Sequence, residues 1–160
     1  MDKKFGFVSL TGRTNVGKST LLNAFFQKKI AITSRKPQTT RNRILGIFSK
    51  GNNQIVFLDS PGVHTGYKRA LNKYMNKTAK ACYEEVDLVV FVVDRDKWQI
   101  EEDNILKNLK DLKKPILLVI NKIDRIKNNN NILPIINKLN SKHSFDCLLY
   151  TSPSPRDLWI

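Results

Sequence analysis

The segment Gly12-Arg13-Thr14-Asn15-Val16-Gly17-Lys18-Ser19 fits the pattern G-x-x-x-x-G-K-[ST]. Its glycines let successive backbone N–H groups turn toward one point, where they can cradle the α- and β-phosphates of a nucleotide. A helix opening directly after such a loop adds the partial positive charge of its N-terminus. Lys18 has the reach to meet the β- and γ-phosphates. Ser19 can place its hydroxyl on Mg²⁺, and Thr20 extends the contact surface. Arg13, Thr14, Asn15 and Val16 supply the backbone between the glycines.

Two further segments carry chemistry. Asp59-Ser60-Pro61-Gly62 follows an apolar run. An aspartate at a strand end can hold Mg²⁺ through water, and the Gly62 amide can meet a γ-phosphate, with Pro61 and Val63 beside it. Asn121-Lys122-Ile123-Asp124 follows a second apolar run. A carboxylate at Asp124 can accept two N–H bonds from the guanine N1 and N2 edge. Adenine lacks that pair and would leave the carboxylate unmatched, which is the kind of site that rejects an analogue strongly. Asn121 is placed to order the phosphate loop and face the base, while the Lys122 stem packs along it.

These residues need elements to hold them. Phe5 to Leu10 reads as a buried first strand, and Lys18 to Phe26 has apolar residues at helical spacing. Arg43–Ser49 and Gln54–Leu58 read as strands joined by the turn Lys50-Gly51-Asn52-Asn53. Residues 30–43 are polar and basic and read as a loop. Leu71, Tyr74, Met75, Thr78 and Cys82 make a helical stripe, as do Ile105, Leu106, Leu109 and Leu112. Asp87–Val93 is almost continuously apolar, which suits an interior parallel strand, and Pro115–Ile120 is a second such run. Pro134 is tolerated in the first turn of a short helix with Ile135, Ile136 and Leu139. Strands alternating with helices predict a doubly wound α/β sheet whose ligand lies at the carboxyl ends of the strands.

Taken together, the motifs resemble the TRAFAC class of GTPases. Asn15 to Thr20, Pro37-Gln38-Thr39-Thr40-Arg41-Asn42-Arg43, Asp59 to His64 and Asn121 to Asp124 resemble the Era family of bacterial GTPases over about residues 5–146. The resemblance implies a P-loop NTPase fold with a mostly parallel sheet flanked by helices. It implies GTP and GDP as ligands, Mg²⁺ as cofactor and hydrolysis of the γ-phosphate. The implied catalytic residues are Lys18, Thr40 and Gly62, with Ser19, Thr40 and Asp59 around the metal. Asn15 stands where potassium-activated relatives use asparagine, which implies a K⁺ contact near the phosphates. Val63 stands where Ras-like enzymes keep a water-orienting glutamine, and a valine cannot take that role. The implied partners are the small ribosomal subunit and its rRNA, with peripheral association at the inner face of the cell membrane. Two other readings fit the motifs: a domain that binds GTP without hydrolysing it, and a sister-family GTPase acting on another RNA. The Pro-Gln-Thr-Thr-Arg and Pro-Gly-Val-His segments favour the Era type.

The sequence departs from the pattern in two places. Thr14 replaces the proline usual before Asn15. The last nucleotide-binding turn of the family falls on Thr151-Ser152-Pro153, where Ser152 is in register but Pro153 has no N–H to donate. The expected organisation is therefore a GTPase domain over 1–146 lacking its closing helix, then an atypical tail over 147–160, without the KH-type RNA-binding domain of the family.

Composition bounds the remainder. The 160 residues suit one domain and are 41% hydrophobic, enough for a core. The longest apolar runs fall far short of the roughly 20 residues of a transmembrane helix, and the opening residues do not read as a secretory leader. Cys82 and Cys147 form no metal-binding or disulfide pattern, so a cytoplasmic setting is expected. Net charge is +14, and from Lys3 to Leu58 there are 11 basic residues and no acidic one. That asymmetry suits a phosphate-bearing ligand or nucleic acid.

Overall fold

A computed structural model of the chain describes residues 4–26, 43–60, 80–94, 98–126 and 132–151. Six strands form one sheet: β1 (Phe5–Thr11), β2 (Arg43–Lys50), β3 (Asn53–Asp59), β4 (Leu88–Asp94), β5 (Ile116–Asn121) and β6 (Cys147–Tyr150). The described helical segments are α1 (Lys18–Phe26), α2 (residues 80–84), α3 (Ile100–Leu109) and α4 (Ile132–Asn140), with a 3₁₀ turn at Ile123–Arg125.

The strand order is β2-β3-β1-β4-β5-β6. Only β2 runs antiparallel, as the second arm of a hairpin with β3, and every other pairing is parallel. Parallel neighbours put their carboxyl ends on one edge. Leu10 pairs with Asp59 and Asp94 with Asn121, so the segments that follow β1, β3, β4 and β5 emerge side by side.

Alternation along the strands sends side chains to two cores. Val89, Phe91 and Val93 of β4 face one side with Ile105 and Leu109 of α3 and Leu139 of α4. Val90 and Val92 face the other side with Leu22 and Phe26 of α1. Covering on both faces is why Leu88–Val93 is a continuous apolar run. Two aspartates seal the amino ends of interior strands. Asp87 Oδ2 accepts the Phe7 N–H at 2.8 Å, and Asp146 Oδ2 accepts the Ile116 N–H at 2.7 Å. Pro134 is the third residue of α4, where a missing N–H breaks no intrahelical bond.

The sheet continues beyond the boundary expected at residue 146. Cys147–Tyr150 pair in register with Leu117–Ile120, and the Thr151 N–H donates to the Ile120 carbonyl at 2.9 Å. A four-residue edge strand gives too short an apolar run to be told from a tail by composition. Of the expected helical stripe from Leu71 to Cys82, residues 71–79 lie outside the described residues. Leu112 falls three residues past the end of α3 rather than on it, and its side chain still packs against the first core.

Candidate nucleotide-binding site

The loop after β1 turns sharply because three of its residues take positive φ. Gly12 has φ 148°, Asn15 63° and Gly17 99°. At the two glycines a side chain is excluded by space as well as by torsion. A Cβ on Gly12 would run into the Val92 carbonyl oxygen of β4, and one on Gly17 into the Asn121 side-chain amide. The loop thus lies against the ends of β4 and β5, and only glycine permits that approach.

Three side-chain contacts hold the loop there. Asn121 Nδ2 donates to the Val16 carbonyl at 2.8 Å, in a buried bond. Lys122 takes a left-handed backbone, with φ 60° and ψ 37°. Its Nζ donates to the Asn15 carbonyl at 2.6 Å and to Asp94 Oδ2 at 2.9 Å. Arg13 Nε donates to Glu102 Oε1 of α3 at 2.9 Å. Glu102 is fully buried, and its other oxygen accepts the Gln99 N–H that caps α3. Val16 is buried at the centre of the loop, while Thr14 and Asn15 are exposed.

Lys18 opens α1 and folds back over the loop. Its Nζ donates to the carbonyls of Gly12 at 2.6 Å and Arg13 at 2.9 Å. Burial holds the ammonium below its ordinary range, against the opposing pull of the Asp59 carboxylate. A poorly hydrated cation at the N-terminus of a helix is prepared for an anion. Ser19 and Thr20 are exposed beside it, and α1 carries no acidic residue in its first turn to compete for its N-terminus.

Asp59 ends β3, and Ser60 is buried behind it, its N–H and Oγ both directed to the Leu10 carbonyl at 3.5 and 3.4 Å. Ile123 and the exposed Asp124 lie in the 3₁₀ turn after β5, and the Ile123 N–H donates to the Thr151 carbonyl at 3.4 Å. The structure therefore brings together residues 12–20, Asp59, Ser60 and residues 121–124 on one sheet edge. Thr40, Pro61, Gly62, Val63 and Ser152 lie outside the described residues, as does His64.

The donor set suits a nucleotide with Mg²⁺. Among the described residues no group of three or more His, Cys, Asp or Glu could enclose a metal ion. Mg²⁺ bound between one carboxylate, one hydroxyl and phosphate oxygens needs no such cage, and Asp59 and Ser19 are of those types. Asn121 Oδ1 is buried without a hydrogen-bond partner, an acceptor that a bound base could use.

Two contributors, Asp94 and Glu102, lie outside the motifs of the sequence. Asp94 is buried and paired with Lys122, and its signal was an acid closing an apolar strand, as Asp59 does. Glu102 stands among three consecutive acids, Glu101-Glu102-Asp103, and nothing local marks it as the buried one. Lys122, whose stem is expected along the base, has its ammonium held between the Asn15 carbonyl and Asp94.

Comparison with known proteins agrees with this geometry. Residues 7–122 match the family described as 50S ribosome-binding GTPase. GTPase Era of Haemophilus influenzae is 48% identical over 145 residues, 90% of this chain and 48% of that protein. The crystal structure of Era with MgGDPNP and nucleotides 1506–1542 of 16S ribosomal RNA superposes with a TM-score of 0.74 at 39% identity, covering 95% of this chain and 52% of that one. An Aquifex aeolicus Era variant bound to GDP and AlF4⁻ gives a TM-score of 0.74 at 40% identity, covering 94% and 52%. The chain spans about half the length of these relatives. It therefore belongs to the 50S ribosome-binding GTPase family, and its fold is that of the Era-type GTPase domain.

Proposed function

We propose that the chain binds GTP and GDP with Mg²⁺ at the carboxyl edge of its sheet and hydrolyses the γ-phosphate, acting as a two-state switch. The observation that carries this reading is the junction of the phosphate loop with the Asn121–Asp124 turn through Asn121, Lys122 and Gly17. A loop specific for phosphates and a turn suited to guanine are thereby fixed as one site.

Within it, the backbone of residues 12–18 holds the phosphates and Lys18 neutralises them. Leaving the Gly12 and Arg13 carbonyls for a phosphate costs the ammonium little, because its present site is poorly solvated. Asp124 accepts the guanine N–H pair, and Asn121 fixes the loop below the base. Ser19 and Asp59 would hold Mg²⁺, which supplies neutralisation of charge on the β- and γ-phosphates. Thr40 and Gly62 complete the γ-phosphate contacts by family resemblance. Asn15 would give K⁺ an oxygen ligand close to the phosphates, where a cation can offset transition-state charge.

The ribosomal role follows from the relatives. The relatives compared above carry the name GTPase Era, and an Era was crystallised with a 16S ribosomal RNA segment. Assembly of the small subunit on its rRNA is the corresponding reading for this chain. Peripheral membrane association rests on the resemblance alone, and no described helix is long and apolar enough to cross a membrane. The test of the enzymatic reading is single-turnover GTP hydrolysis in K⁺ and in Na⁺ buffers with Mg²⁺. Phosphate release that is faster in K⁺ supports the switch with its cation. Binding without release reduces the chain to a nucleotide-binding domain.

A further inference from the structure

Tyr83 lies at the end of α2 and is fully buried. Its hydroxyl and Thr11 Oγ1 are 2.7 Å apart in a buried hydrogen bond, and the Ser60 hydroxyl lies near enough to act on it. Burial raises the phenol above its ordinary range, so it stays a neutral hydrogen-bonding group at physiological pH.

The partners matter by position. Thr11 is the last residue of β1, immediately before Gly12 and the phosphate loop. Ser60 immediately follows Asp59, the carboxylate read as the Mg²⁺ contact. β1 and β3 are neighbours up to the Leu10–Asp59 pair and then diverge into their loops. The phenol lies at the end of that pairing, bonded to Thr11 and close to Ser60. Satisfying a buried tyrosine hydroxyl needs only one partner. Here the phenol of α2 bonds the last hydroxyl of β1 with the Ser60 hydroxyl of the turn after β3 close by, and Ser60 is itself directed to the Leu10 carbonyl of β1.

We propose that Tyr83 is a positioning residue for the metal side of the nucleotide site, holding the phosphate loop and the Asp59-Ser60 turn at the spacing that Mg²⁺ and the phosphates require. The proposal rests on the reading of the site as a GTP–Mg²⁺ site. It assigns to α2, which contacts no ligand through Tyr83, a part in setting how strongly Mg²⁺ strengthens nucleotide binding. Without the phenol hydroxyl the loop and the turn would still form, because their backbone contacts remain. Their separation would no longer be fixed.

The test measures GDP and GTP affinity of the full chain with Mg²⁺ and with EDTA. Tyr83→Phe keeps the ring in the core and deletes one hydroxyl. The strengthening of binding by Mg²⁺ should fall about fivefold, the effect of one net hydrogen bond, while affinity in EDTA stays within about twofold. Thr11→Val, which removes the other hydroxyl at constant shape, should reproduce the loss, and Thr11→Ser should restore it. The double variant Tyr83→Phe with Thr11→Val should be no worse than either alone, as expected for one coupled unit. Equal losses with and without Mg²⁺ would show a merely structural tyrosine and overturn the proposal, as would an unchanged Mg²⁺ effect in Tyr83→Phe. If Tyr83→Phe does not fold, Thr11→Val with unaltered Mg²⁺ dependence overturns it. A wild-type chain whose guanine-nucleotide binding ignores Mg²⁺ would overturn the site reading itself, a different result from a normal wild type with silent variants.

Discussion

Asn121 and Val16 are 105 residues apart in sequence and joined by a buried hydrogen bond of 2.8 Å. The bond links the turn suited to guanine to the loop suited to phosphate, and it runs beside the Gly17 backbone. On the proposed reading, the two ends of the site are coupled through this bond.

Gly17→Ala should break that link. The residue has φ 99°, and a Cβ would strike the Asn121 amide. Strain of this kind costs on the order of 1–3 kcal/mol, so GDP affinity by calorimetry should fall about 10- to 100-fold. Affinity within twofold of wild type would show that the loop can move away from β5 at no cost.

Arg13 and Glu102 should be asymmetric in their effect on stability. Glu102 is fully buried, whereas the Arg13 side chain is 19% exposed. Arg13→Ala leaves an unpaired buried carboxylate, a loss on the order of 3–5 kcal/mol. Glu102→Gln keeps an acceptor for the Gln99 N–H and should cost about 1–2 kcal/mol. Urea denaturation of both variants decides it, and equal losses would contradict the burial argument.

The motifs and the interior strands were legible because each is local. Asp87–Val93 reads as a strand from its own residues, one position from the observed Leu88–Asp94, and Gly12–Ser19 reads as a phosphate loop from its spacing. Long-range pairs were not legible. Glu102 meets Arg13 across 89 residues, and nothing in Glu101-Glu102-Asp103 says which acid is buried. Cys147–Tyr150 needed its neighbour β5 to become a strand, since four residues followed by prolines carry no period. The pairing of Tyr83 with Thr11 likewise depends on how α2 lies across the ends of β1 and β3.

Lys18 should make stability depend on pH. Its folded value lies below the ordinary 10.5 because of burial. Between those two values the unfolded chain binds more protons, so folding stability rises with pH through that window. Melts of nucleotide-free wild type and Lys18→Ala should show this gain only in the wild type as pH climbs toward 10.5. GDP affinity should fall over the same window, because bound phosphates call the proton back. A wild type and Lys18→Ala with parallel pH profiles would remove the claim.

Asp124→Asn should exchange guanine for xanthine preference. The amide complements a base edge whose N–H at the 2-position has become a carbonyl. Competition of GDP and XDP for the same site should reverse in order, by at least about tenfold, roughly the discrimination of one to two hydrogen bonds.

The central claim is that one site reads both phosphate and guanine. Displacement of a fluorescent GDP analogue from the full chain in Mg²⁺ buffer, by GDP and by ADP in parallel, tests it most directly. The account predicts displacement by GDP and essentially none by ADP at about a thousandfold higher concentration, because adenine leaves Asp124 without its N–H pair. Displacement by both nucleotides at similar concentrations would contradict it.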